Sequence, residues 1–263
     1  MRLTPPRPTA LRPRPPRPGE AERVPPRQRL EEAGISTIDW LDERTSLSGA
    51  LRWTLFRKVP RGVNWFYTLG SATLFAFLSQ AVTGVFLAMY YDPSPTRAYE
   101  SARHITNEVF LGEFVRGMHK WGSTVMVILI FLHMARVFFF GAYKYPRELS
   151  WLTGSVLLIL TMVMSFTGYL LPFDQRSYWA TIVGVNINGT GPLVGPFLSD
   201  FLRGGAEFGA TTLSRFYAIH MLLVPGGIIA LIGFHLYLVA RLGTTAPPWL
   251  RPHSDTGHLE ERV

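Results

Sequence analysis

The sequence predicts an all-α integral membrane protein: a bundle of four transmembrane helices, preceded by an amphipathic helix on the membrane surface. Three observations predict it. Only 17% of the 263 residues are charged, against about a quarter in soluble domains. The charge is also excluded from long stretches: residues 63–91 contain no Asp, Glu, Lys or Arg over 29 positions, and residues 149–173 and 216–240 contain none over 25 each. A hydrocarbon layer about 30 Å thick is crossed by roughly 20 helical residues, so each stretch can span it. Finally, residues 114–143 form a fourth apolar stretch, interrupted by Arg116, Lys120 and Arg136 and charge-free only over 121–135. Ionisable groups at membrane depth are costly, which marks those three as functional candidates.

The segments divide as follows. Residues 1–28, dominated by Pro and Arg, cannot bury enough apolar area to fold and read as a disordered tail. The tail lacks the apolar core of a signal peptide. Residues 29–60 place Ile35, Ile38, Trp40, Leu41, Leu47, Leu51 and Leu55 among charges, the pattern of an amphipathic helix lying flat on a membrane or, failing that, of a solvated linker. Residues 61–245 form the transmembrane domain and 246–263 a C-terminal tail. The connection 174–214, rich in Gly and Pro, is expected to carry one or two short helices along the membrane surface.

Charge sets orientation. Through Arg61 the chain holds 13 Arg and Lys against 7 acids, whereas the loop 92–113 holds two Arg against four acids, Asp92, Glu100, Glu108 and Glu113. Lys144 and Arg147 follow the second span. The positive-inside rule then puts the N-terminus on the cytoplasmic side and the 174–214 connection outside. The net charge of +8 belongs to a membrane surface rather than to nucleic acid, since half the basic residues precede Val63. Absence of cysteine excludes disulfides, thiolate metal sites, iron–sulfur ligation and CxxCH haem attachment.

Four histidines lie within apolar helices: His119 and His133 on the second span, His220 and His235 on the fourth. Spacings of 14 and 15 residues amount to roughly 21–22 Å along a helix and about four whole turns, so each pair shares a face. The two spans run in the same direction. His119 therefore matches His220 in depth near the outer face, and His133 matches His235 near the inner face. Facing imidazoles at one depth can ligate a haem iron axially, which predicts two non-covalent b-type haems stacked across the bilayer. Gly70 and Gly84 on the first span, and Gly154 and Gly168 on the third, repeat the interval of 14. Glycine permits close approach, either for a porphyrin at two levels or for helix packing. Arg116 and Arg136 lie three residues outward of His119 and His133, on the same helix face, and Arg215 precedes His220 on the outer side. Each guanidinium can meet haem propionates or snorkel to the interface.

These residues resemble the cytochrome b family of the cytochrome bc and bf complexes, over roughly residues 36–250. The matching stretches are NWFYTLGS (64–71), TGVFLAMYY (83–91), the His119–His133 region ending HMAR, YPRELSWLTG (145–154), TGYLLPFDQRSYWA (167–180) and LSRFYAIH (213–220). The 15-residue interval resembles the split, chloroplast-type form. The resemblance implies a subunit of a quinol:cytochrome c, or plastocyanin-type acceptor, oxidoreductase working a Q cycle, with quinol and quinone as substrates. It implies a low-potential haem on His119 and His220 and a high-potential haem on His133 and His235. It also implies that one electron goes to a Rieske iron–sulfur protein and the other through the haems to quinone near the inner face. Tyr169 and the stretch Tyr178, Trp179, Ala180 and Thr181 resemble the family's outer quinol site, Tyr169 being otherwise a belt aromatic.

Two departures stand out. The family's Pro-Glu-Trp-Tyr motif is missing, so a C-terminal cytochrome b portion (a subunit IV-like chain) is expected as partner. The other expected partners are the Rieske protein, a cytochrome c-type subunit, a second copy of the complex and membrane lipid. Thr68 stands where chloroplast-type relatives attach a third haem through cysteine, which argues against a covalent third haem. Arg241, after His235, either contacts quinone or a propionate or forms the helix's positive flank. A bacterial inner membrane is the expected location. The rival readings are a di-haem b anchor of a dehydrogenase or reductase, and a haem-free transporter or structural membrane protein. His104, His253 and His258 fall in loops or the tail and read as solvated.

Overall fold

In lipid no water satisfies backbone groups, so a chain with four long apolar stretches must form helices there. The computed structural model describes residues 39–40, 42–46, 48–49 and 60–250. Among them every regular element is helical and four helices are long and apolar enough to cross a membrane: Trp65–Ala88, Gly112–Phe139, Glu148–Tyr169 and Ala210–Leu242. The chain is an integral membrane protein.

The residues before Lys58 form a unit of their own. Residues 39–40, 42–45 and 48–49 are helical, and the Asp42 carboxylate accepts hydrogen bonds from the Ser48 hydroxyl and backbone N–H, both at 2.6 Å. Those bonds hold its carboxyl below the usual range. The predicted 1–28 tail, most of the predicted surface helix and the C-terminal tail beyond Leu250 lie outside the described residues.

In the second unit α1 (Leu69–Ala88) follows a 3-10 turn, Trp65–Thr68, capped by the Asn64 side chain. Next come α2 (Ala98–Asn107), α3 (Gly112–Phe139), α4 (Glu148–Tyr169), α5 (Gln175–Gly189) and α6 (Gly195–Arg203). The fourth span is one helix in three parts: α7 (Ala210–Ala218), a π-helical turn (Ile219–Leu223) and α8 (Val224–Leu242). Its polar start, ATTLSR, belongs to the helix, which therefore begins six residues before the charge-free stretch. The 92–113 connection, read from sequence as plain loop, contains α2. The 174–214 connection holds α5, capped by Asp174 through the Ser177 N–H at 2.7 Å, and α6, ended by Gly204 at φ 78°.

α1 packs on α3, and α4 packs on α8. Ala76, Phe77, Met126, Leu157, Phe216, Val224 and Ile228 form a continuous buried core. Phe75, Val82, Leu152, Ile159 and Ile229 point outward, an apolar exterior suited to lipid. The end where α1 begins is called lower here, and the end where it finishes upper. At the lower end Arg147 donates to the carbonyls of Leu242 and Gly243, both at 3.1 Å, satisfying acceptors that a helix C-terminus leaves open. At the upper end the Tyr91 hydroxyl donates to the Leu171 carbonyl, and burial pushes its phenol pKa up.

Candidate functional site

A cofactor held between helices needs donors that meet at one depth, room behind them, and partners that fix their protonation. At the upper level His119 of α3 and His220 of the π turn face each other with ring centroids 6.4 Å apart and planes at 77°. With metal–imidazole distances of about 2 Å, opposed imidazoles bridging one metal place their ring centroids roughly 6 Å apart. The observed gap therefore accommodates an iron. At the lower level His133 and His235 line one cavity of about 320 Å³, together with Gly70, Gly154, Tyr67, Arg136 and Arg147.

All four glycines lie opposite a histidine at their own depth. A methyl built on Gly84 would sit 3.2 Å from His119 Cε1, and one on Gly168 2.5 Å from His220 Cε1. At the lower level the distances are 3.1 Å from Gly70 to His133 Cε1 and 3.5 Å from Gly154 to His235 Cε1. What the glycines visibly make room for is the imidazole edge.

The upper rings are held by threonines that spacing did not reveal. His119 Nδ1 lies 2.9 Å from Thr83 Oγ1, beside the Gln80 carbonyl. His220 Nδ1 lies 3.2 Å from Thr167 Oγ1 and 3.0 Å from the Met164 carbonyl. Both hydroxyl protons are committed elsewhere: Thr83 donates to Ser79 O at 2.7 Å and Thr167 to Val163 O at 2.9 Å. Each Oγ1 can therefore only accept from the imidazole, so Nδ1 carries the proton and Nε2 is left as the lone-pair donor. The two half-sites are copies, with Thr83 and Thr167, and Gly84 and Gly168, each 84 residues apart.

The π turn reconciles unequal spacings. His119 and His133 are 14 apart on an unbroken α-helix, whereas His220 and His235 are 15 apart with Ile219–Leu223 wound as π. One wide turn absorbs the extra residue and keeps both rings on one face. Pro225, at the start of α8, lacks the N–H that a regular ladder would use there.

The arginines divide. The Arg136 guanidinium stacks 3.8 Å over the Tyr67 ring and 5.2 Å over Phe140, and its Nε and Nη2 are buried without hydrogen bonds. Tyr67 Oη, Ser150 Oγ, His235 Nδ1 and Thr245 Oγ1 are likewise buried and unsatisfied, and all of these residues line the lower cavity. Buried polar atoms are rarely left so. Arg116 instead donates to Thr106 Oγ1 at 2.6 Å. Arg215 donates to the Phe201 carbonyl of α6 and lies 5.3 Å over that residue's ring. Tyr169 ends α4, half exposed, and Tyr178, Trp179 and Ala180 start α5. Tyr178 packs edge-on against Phe173, Trp179 and Phe208, and Thr181 is fully buried.

The donor set fits haem: facing imidazoles at the upper level and two histidines on one cavity at the lower, each opposite a glycine, with a half-buried guanidinium and unsatisfied hydroxyls at the lower one.

Comparison with known proteins agrees. The family described as Cytochrome b/b6/petB matches residues 55–243. Cytochrome b6 of Heliobacterium modesticaldum is 42% identical over 212 residues, covering 80% of this chain and all of that protein. The menaquinol:cytochrome c reductase cytochrome b subunit of Geobacillus thermodenitrificans is 41% identical over 217 residues, covering 80% of this chain and 97% of that one. A chain of a hyperthermophilic respiratory Complex III superposes with a TM-score of 0.74 at 31% identity over 83% of this chain. This chain spans 58% of that one's length. With the match reaching across all four spans and both histidine levels, the chain belongs to the cytochrome b family.

Proposed function

We propose that this chain is the cytochrome b subunit of a quinol-oxidising, cytochrome c-reducing complex and holds two b haems. His119 and His220 ligate the upper one; His133 and His235 ligate the lower. The facing of His119 and His220 across 6.4 Å carries the reading. Bound haem supplies one-electron redox chemistry, and the protein's part is to hold and bias it. Thr83 and Thr167 keep the upper ligands in one tautomer, and Arg136 offers two buried N–H groups to carboxylates at the lower level.

The upper end is the outer face and the N-terminus is cytoplasmic, in a bacterial inner membrane, as the charge balance of the loops supports. Tyr169, Tyr178, Trp179 and Ala180 contribute to an outer quinol site that a C-terminal cytochrome b chain completes. A Rieske protein, a cytochrome c-type subunit and a second copy of the complex are the further partners. Relatives named menaquinol:cytochrome c reductase favour menaquinol as donor. Thr68 donates its hydroxyl to the Trp65 carbonyl at 2.7 Å and offers no thiol for covalent attachment, so both haems are non-covalent.

A redox-titrated visible spectrum of the purified complex tests the reading. Two low-spin b haems per chain, with separate midpoints, are expected. A stoichiometry of one or none sinks it.

A further inference from the structure

The two histidine levels differ in what stands behind the rings. Both upper imidazoles donate Nδ1–H towards a threonine oxygen, with a backbone carbonyl alongside. Each threonine hydroxyl in turn donates to the helix carbonyl four residues back, which polarises the oxygen and strengthens it as an acceptor. Among the described residues no hydroxyl reaches the imidazole of His133 or His235. His235 Nδ1 is buried beside the Ser150 backbone without a formed hydrogen bond. Thr153 precedes Gly154 as Thr83 precedes Gly84, but its hydroxyl bonds only the Leu149 carbonyl at 2.7 Å. Near the lower ring pair lies the Arg136 guanidinium, among the same cavity walls.

We propose that Thr83 and Thr167 are positioning residues that hold the upper histidines as Nδ1–H donors and thereby lower the reduction potential of the upper haem. This rests on the two-haem reading. A hydrogen bond accepted from Nδ1–H shifts electron density to Nε2 and makes the ring a more basic ligand. A more basic ligand stabilises ferric over ferrous iron, whereas a buried cation nearby favours the reduced state.

The test is redox titration of the purified complex carrying Thr83→Val, Thr167→Val, each Thr→Ser counterpart, or Thr153→Val as control, with electron paramagnetic resonance of the ferric signals. Each upper valine substitution is expected to raise the upper midpoint and change the upper ferric signal. The double variant should raise it further, and serine should leave it near the parent value. The lower midpoint and the Thr153→Val protein should not move. An unmoved upper midpoint with two haems bound, or an equal shift at both levels, overturns the proposal. If a valine variant releases the upper haem, retention by its serine counterpart supports the hydroxyl's role and release by both overturns it. A parent complex with fewer than two haems defeats the underlying reading instead, so the two failures are distinct.

Discussion

At the scale of single residues, the site is a set of complementary pairs: each histidine has a glycine opposite, and two have a threonine behind. The histidine and glycine positions were legible in the sequence because intervals of 14 and 15 residues, each about four helical turns, are a geometric statement. The threonines were not, because a threonine inside a membrane helix ordinarily bonds its own carbonyl four residues back and signals nothing. Here the same bond is made, and the leftover lone pair is what the imidazole uses. Tyr67 was missed for a related reason: one aromatic among several at the start of an apolar stretch signals nothing until Arg136 is seen stacked on it. The glycine contacts are unequal, which yields a prediction. Gly168→Ala puts a methyl 2.5 Å from a ring held by two hydrogen bonds, whereas Gly154→Ala meets His235 at an ordinary 3.5 Å. Overpacking costs typically about 1–3 kcal/mol. Gly168→Ala should therefore release or tilt the upper haem, and Gly154→Ala should retain both, as read by haem content and the visible spectrum.

At the scale of elements, the spans were predictable because lipid leaves the chain no alternative to helices, but their ends were not. The fourth span begins six residues before its charge-free stretch because Thr212 ties its polar first turn to the Gly209 N–H and the Arg203 carbonyl. α2 escaped detection because its ten residues are amphipathic and partly charged, as a surface helix should be. The 15-residue interval looked close enough to four turns for an ordinary helix, yet the helix resolves the mismatch locally. This gives an asymmetric expectation. Deleting exposed Leu222 from the π turn should let the segment wind as α, with His220 and His235 still on one face and haem content unchanged. Deleting exposed Ile128 from α3 has no wide turn to draw on; it rotates His119 against His133 by about 100° and should cost at least one haem. Haem-to-protein ratios of the two deletions decide between these outcomes.

At the scale of the whole molecule, the bundle is two helix pairs, α1 with α3 and α4 with α7–α8, each bringing one histidine-bearing span and one glycine-bearing span. The sequence made this arrangement readable because both halves carry a glycine interval of 14 and a histidine interval of 14 or 15, and the family match over 55–243 covers them together. The upper connections were less readable, since their packing depends on contacts such as Tyr91 with Leu171 that join segments 80 residues apart. Separation of the levels predicts separable loss. Replacing His133 or His235 with leucine should remove the lower haem and leave the upper signal intact in a folded complex. Equal loss of both signals would contradict pairing by depth.

The π turn has a further consequence for how related chains should be compared. A one-residue difference in the length of the fourth span need not be accommodated in a loop or spread along the helix. It can be localised to Ile219–Leu223, where the wider winding holds one residue more than an α turn would. Relatives with an interval of 14 are expected to lack this widening and to be otherwise superposable, so the gap in an alignment belongs immediately after His220. Everything from Val224 onward then keeps its numbering relative to His235, and differences there report substitution rather than displacement.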